Sequence, residues 1–172
     1  MKVLLIVGHQ PWAKGAHNAV EGLYEYDFNE PLAYKIASRV KKASVIVDHY
    51  TRGADLVRWS GKSDLLLELH CNAFNSKASG TLTLYANGSV KGRAAAGILQ
   101  THFVEELDLP DRGILPRTAK DRGGYLLWGV SQPALIGEPF FIDNDGDLLR
   151  ARQRDLAGAY AGALDRLAEV WK

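Results

Sequence analysis

Short apolar runs alternate along the chain with longer stretches of helical period, the pattern of helices layered on a sheet rather than of a bundle or sandwich. Four runs, residues 2–7, 44–47, 64–69 and 133–137, are rich in Val, Ile and Leu and bounded by turn or polar residues. Strands buried on both faces of a parallel sheet read this way. A further strand is expected over 81–85, at a sheet edge. Between the strands, residues 29–42 place Leu32, Ala33, Ile36, Ala37 and Val40 at spacings of three and four, one apolar helical stripe, with Pro31 suited to the first turn. Residues 88–107 predict a second helix. Residues 145–171 predict a long third one, with Leu149, Leu156, Tyr160, Leu164, Leu167 and Trp171 on one side. No repeat, linker or low-complexity tract is visible. The expected fold is a single α/β domain over residues 1–172: a mostly parallel twisted sheet of about five or six strands with helices on both faces.

Composition narrows the function classes. At 172 residues, 47% hydrophobic and 24% charged, the chain can bury one sizeable core and is far from disordered or fibrous composition. Twenty-one Lys and Arg against 20 Asp and Glu leave a formal charge of +1, so no overall field favours nucleic acid or anionic lipid. A charged partner must be recognised locally. Cys71 is the single cysteine, which excludes an internal disulfide and a cysteine-based zinc cluster. The apolar run 3–7 is far below the ~20 residues of a spanning helix and is cut off at once by Gly8-His9-Gln10-Pro11, where a signal peptide would continue. The expectation is a monomer made in the cytoplasm without an export address, with no stable membrane insertion and no nucleic-acid partner.

Candidate chemistry falls at the strand ends. In open α/β sheets sites gather outside the carboxyl edge, where loops leaving parallel strands converge. The first strand runs into His9, the third into His70 and the fourth into Glu138. Two imidazoles at equivalent ends of separate buried strands favour a shared metal, and neutral imidazole suits zinc. A hydrolytic zinc site usually has three protein ligands, so a carboxylate should complete the set. Glu21, Glu25, Asp27 and Glu30 are all available. Glu138, directly after an apolar strand, is expected to be partly buried, which moves a carboxyl toward the pKa of a useful base. Cys71 follows His70, but adjacent strand residues point to opposite faces, so a packed thiol is expected rather than a nucleophile.

Other features fit bland readings. Gly61-Lys62-Ser63 resembles the end of a phosphate-binding loop, yet Leu56 stands where that loop needs glycine. Arg150, Arg152 and Arg154 alternate on a predicted helix, do not share one face, and read as solvated. Trp12, Tyr24, Tyr26, Trp59, Tyr125 and Trp128 could wall a saccharide or peptide groove, Trp12 and Tyr26 being the best placed beside candidate ligands.

Taken in order, these segments resemble the zinc-dependent N-acetylmuramoyl-L-alanine amidases of the amidase_3 group, which hydrolyse peptidoglycan in bacterial autolysins and phage endolysins. The opening strand with Gly8-His9 and Gly15-Ala16 resembles the family's strand-GH…GA start. Glu25-Tyr26-Asp27-Phe28-Asn29 resembles its E-K-D-x-N segment, whose glutamate is a zinc ligand and whose asparagine opens the next helix. Thr51-Arg52 resembles the TR after the second strand, Leu69-His70-Cys71-Asn72-Ala73 the LHxNA motif with the third ligand, and Asp111-Arg112-Gly113 the short RG element. Glu138-Pro139-Phe140-Phe141-Ile142-Asp143-Asn144 resembles E-x-G-F-x-S-N, whose glutamate is catalytic. The chain departs from the pattern in residues 10–14, which lack the usual glycine-rich loop, at Cys71 and at Pro139-Phe140. The resemblance implies that His9, Glu25 and His70 hold Zn²⁺ and that Glu138 is the catalytic base; Trp12, Tyr26 and Asn72, beside these residues in the sequence, are the expected substrate contacts. It implies as substrate the amide between the lactyl group of N-acetylmuramic acid and L-alanine in peptidoglycan. The compact chain suggests a phage endolysin reaching the wall after membrane permeabilisation by a separate protein. A different zinc amidohydrolase or carboxypeptidase acting on peptides, and a non-catalytic wall-binding module, are the competing readings.

Overall fold

The computed structural model describes residues 1–50 and 55–171. In chain order the elements are β1 (Lys2–Val7), β2 (His17–Asn18), β3 (Leu23–Tyr24), α1 (Glu25–Arg39), β4 (Ser44–His49), α2 (Asp55–Trp59) and β5 (Leu65–Leu69). There follow β6 (Thr81–Ala86), α3 (Val90–Leu107), β7 (Asp111–Arg117), α4 (Gly124–Gly129), β8 (Ala134–Glu138), α5 (Asp145–Gln153) and α6 (Leu156–Val170). Six strands form one sheet in the order β4-β1-β5-β8-β6-β7, and β2 pairs with β3 in a small separate ribbon. β4, β1, β5 and β8 are parallel, β6 runs antiparallel to β8, and β7 is parallel to β6. The α/β class and the strand number match the expectation.

Both faces of the central strands are apolar, but the two are covered unequally. Val3, Leu5, Val7, Leu65, Leu67, Leu69 and Leu135 pack beneath α1, α3 and α6 in the larger core. Small residues in the helices, Ala95, Ala96, Ala159 and Ala163 among them, let α3 and α6 approach each other closely. Leu4, Ile6, Leu66, Leu84 and Ile136 face the other way, against Trp59, Leu126 and Leu127. Among the described residues only the short α2 and α4 are helices covering that side. Helices of five and six residues, ~1.5 Å rise per residue, cannot roof the full length of the strands. The carboxyl ends of β1, β5 and β8 are therefore left open on this face.

Several boundaries differ from the sequence reading for identifiable reasons. α1 starts at Glu25, not residue 29, so neither Pro31 nor Asn29 lies where it was expected; Pro31 is inside the helix and Asn29 one turn in. No side chain caps this helix. Its first amides are tied instead by tertiary bonds, Glu25 N–H to the Ala16 carbonyl at 2.8 Å and Tyr26 N–H to that of Lys14 at 3.0 Å. The long third helix is two. The chain breaks between Gln153 and Leu156, and Asp155 caps α6 by accepting from the Gly158 amide. Leu148 rather than Leu149 then faces the core, and Leu149 is exposed. The strand at 81–86 lies inside the sheet, because β7 forms the edge beyond it. β7 contains Gly113 at φ +78° and Pro116, breakers that hide a strand in the sequence yet are tolerated at an edge, and its register shifts within the pairing to β6.

Candidate metal centre and catalytic site

Three strand ends are stitched into one rim. Gly8 N–H donates to the Leu69 carbonyl at 3.2 Å, and His70 N–H to that of Gly137 at 3.0 Å. His9 thus leaves β1, His70 leaves β5, and Glu138 ends β8 side by side. His9 takes up φ +66°, the left-handed region that a non-glycine residue enters only at a cost and mostly at functional positions. Its ring meets that of His70 edge to face, with centroids 4.9 Å apart.

Glu25, the first residue of α1, completes the group from the opposite side of the sheet edge. Its Oε1 accepts from the Cys71 amide at 2.7 Å and lies 2.8 Å from His70 Nδ1. Its Oε2 accepts from the Ala16 amide at 3.1 Å and lies 3.0 Å from His9 Nε2. Burial by itself would raise this carboxyl, but hydrogen bonds and charge from His70 and His9 outweigh it and hold Glu25 well below the ordinary carboxylate range. Burial works in the opposite sense on His70; there Glu68 and Glu25 override it and push the imidazole up.

Among the described residues, His9, Glu25 and His70 form a group able to hold a metal, with ligand atoms all within 4.8 Å of one another. Two features of the protein fit such an ion. Among the described residues His9 Nε2 is buried and makes no well-aligned hydrogen bond; its close polar neighbour is the Glu25 carboxylate at 3.0 Å, and an ion shared by the two would satisfy both. The space around the ligands is kept clear by glycine. A Cβ on Gly15, at φ +79°, would stand 2.5 Å from the His9 ring and 2.6 Å from Glu25 Oε2, and one on Gly8 2.6 Å from His70 Nε2. A nitrogen and oxygen donor set without thiolate suits zinc.

Beside this group lies a cavity of about 240 Å³, lined among others by His9, Glu68, His70, Arg122, Tyr125 and Glu138. Leu84, Leu126 and Ile136 supply the apolar part of the wall. Glu138 is 5% exposed, and burial raises its carboxyl above the ordinary range, partly offset by His70 and by Arg122, whose Nη2 is 3.9 Å from Oε1. It is placed as a base should be, desolvated and next to the candidate ligands.

The remaining sequence candidates separate. Tyr26 does not wall the cavity: it is buried in the larger core, its hydroxyl donating to Glu30 at 2.8 Å and facing His49 Nδ1 at 3.4 Å. Trp12 is exposed on the loop after His9 and is not among the residues lining the cavity. Asn72 joins the rim segments: its N–H donates to the Phe140 carbonyl, its own carbonyl accepts from Ile142, and its side chain accepts from the Ala73 amide. Cys71 is fully buried with its thiol beside Asn29, and burial raises its pKa, as a packed thiol requires. Thr51 and Arg52 lie outside the described residues. Glu68, Arg122 and Tyr125 line the cavity but were not singled out as metal or catalytic candidates, although Glu68 breaks an otherwise all-leucine strand.

The carboxyl edge of this α/β sheet thus carries a His-Glu-His group able to hold a metal, with a buried carboxylate at the same cavity. The family model for N-acetylmuramoyl-L-alanine amidase matches residues 3–166, and the chain belongs to that family. It is 28% identical over 183 aligned residues to an uncharacterized cell wall amidase of Bacillus anthracis, covering 87% of this chain and 34% of the relative. The chain thus spans about a third of that protein's length. The fold matches an N-acetylmuramoyl-L-alanine amidase from Clostridium difficile 630, with TM-score 0.86, 24% identity, and coverage of 99% of this chain and 98% of that one. It also matches the catalytic domain of an endolysin targeting Clostridium difficile, with TM-score 0.79 and 25% identity over 98% and 96% of the two chains. Among the described residues no helix is long and apolar enough to cross a membrane.

Proposed function

We propose that the chain cleaves the amide between the lactyl group of N-acetylmuramic acid and the L-alanine of the stem peptide, using Zn²⁺ held by His9, Glu25 and His70. The observation that carries this reading is the meeting of those side chains with Glu138 at one cavity, in a chain of the amidase family. When bound, zinc supplies Lewis-acid polarisation of the amide carbonyl and makes water acidic enough to react near neutral pH.

The protein's own groups do the rest. Glu138, kept basic by burial, takes the proton from the attacking water and returns it to the leaving amine, so one carboxylate serves as base and then acid. Arg122, 3.9 Å from that carboxylate, restrains it at the mouth of the cavity. Peptidoglycan is the partner, its glycan and peptide extending beyond the small cavity, where exposed Trp12 offers an indole face to a sugar ring. Purified sacculi treated with the chain should release peptides bearing a new N-terminal L-alanine, detected by mass analysis. EDTA should stop the release and zinc restore it. Release that ignores chelator, or cleavage within the peptide instead, overturns the proposal.

A further inference from the structure

Glu68 is a buried charge without a role in the reaction as described. On β5 it registers with Ile6 of β1 and Ile136 of β8, so aliphatic neighbours flank it on both sides, and it is 6% exposed. A carboxylate in such surroundings is strongly disfavoured unless it is paired. Its partner lies two residues further along the same face. Glu68 Oε2 is 3.2 Å from His70 Nε2, while the other ring nitrogen, Nδ1, faces Glu25 at 2.8 Å. The His70 imidazole is therefore held between two carboxylates, with Nδ1 turned toward the ligand group and Nε2 turned away from it.

We propose that Glu68 is a positioning residue of the metal centre. It accepts the Nε2–H of His70, selects the tautomer that leaves the Nδ1 lone pair toward the ion, and prevents the ring from rotating away. A carboxylate behind a ligating imidazole also makes that imidazole a better donor. This inference rests on the metal-dependent reading above and adds a fourth side chain to the centre.

The test measures zinc itself in the full chain, by competition against a chromophoric chelator, for wild type, Glu68→Leu and Glu68→Gln. Leucine matches the rest of β5 and removes the acceptor; glutamine keeps an acceptor oxygen. Glu68→Leu is expected to bind zinc about 10- to 100-fold more weakly, and Glu68→Gln to recover most of that loss. With Co²⁺ as probe, the visible spectrum of Glu68→Leu should shift in band position and intensity, reporting a changed ligand geometry, while that of Glu68→Gln stays near wild type. Melting curves of the chelated proteins separate lost affinity from lost fold, and Glu68→Ala replaces Glu68→Leu in the comparison if the latter does not fold. Zinc affinity and cobalt spectrum equal to wild type in the leucine or alanine variant overturn the proposal while leaving the metal site standing. A wild-type chain that takes up no zinc overturns the metal reading and this inference with it.

Discussion

Replacing Gly15 by alanine probes the metal centre through backbone and space alone, with no ligand touched. Two penalties arise. Gly15 has φ +79°, where an L residue costs roughly 1–2 kcal/mol. For a domain of this size that lowers the melting temperature by about 2–8 °C. The new methyl would also sit 2.5 Å from the His9 ring and 2.6 Å from Glu25 Oε2, against the ~3.5–4.0 Å at which such atoms rest. Something must move by about 1 Å, several times the ~0.2 Å within which metal–ligand distances are held. Zinc affinity should therefore fall at least ~10-fold, comparable with losses seen when ligand-orienting groups are removed. Gly22→Ala supplies the control, because Gly22 also has positive φ, +63°, but its Cβ would meet nothing within 4 Å. Chelator competition and thermal melts on both variants complete the experiment. Similar loss of stability in the two, with zinc affinity lost in Gly15→Ala alone, is the expected outcome. Equal zinc affinity in the two would show that the space beside His9 and Glu25 does not matter to a metal, and the reasoning fails.

Three further predictions concern two single residues. Glu138→Gln should retain zinc while losing about 10²- to 10⁴-fold in turnover on sacculi; an unchanged rate removes Glu138 from the chemistry. The same variant carries a pH signature in the chelated protein. Burial raises the folded-state pKa of Glu138 above its ordinary value of 4.5, so the folded chain keeps this proton to higher pH than the unfolded chain. The stability that comes from the protonated form is full below 4.5 and is lost as pH rises through the raised value. Denaturant melts should therefore show Glu138→Gln gaining on wild type as pH rises; a difference that is flat with pH contradicts the raised pKa. At the helix break, Asp155→Ala removes the cap that accepts from Gly158 and the ion pair to Arg39, and should cost about 1 kcal/mol, whereas Asp155→Asn keeps most of the cap. Equal melting of all three would show that α6 does not depend on this cap.

What the sequence determined by itself were the features with a local cause. Continuous apolar runs made β1, β5 and β8 legible, because strands covered on both faces admit no polar alternation. Their carboxyl ends fell on His9, His70 and Glu138, whose juxtaposition follows once neighbouring strands are parallel. The choice of Glu25 among four nearby carboxylates came from resemblance to a family, since spacing along the chain does not state which acid turns inward. Tertiary structure alone decided the rest. α1 begins at Glu25 because loop carbonyls of Ala16 and Lys14 receive its first amides, a signal absent from the helix itself. β7 exists because an edge strand accepts glycine and proline, and the last helix breaks where Asp155 can cap a new one. Tyr26, beside a ligand in sequence, turns into the core, since residues one apart on a helix face directions about 100° apart. Glu68 reads as an oddity in a leucine strand until the sheet sets it against the outer nitrogen of His70. Burial and pairing belong to the packed molecule, and with them the chemistry of a charged group.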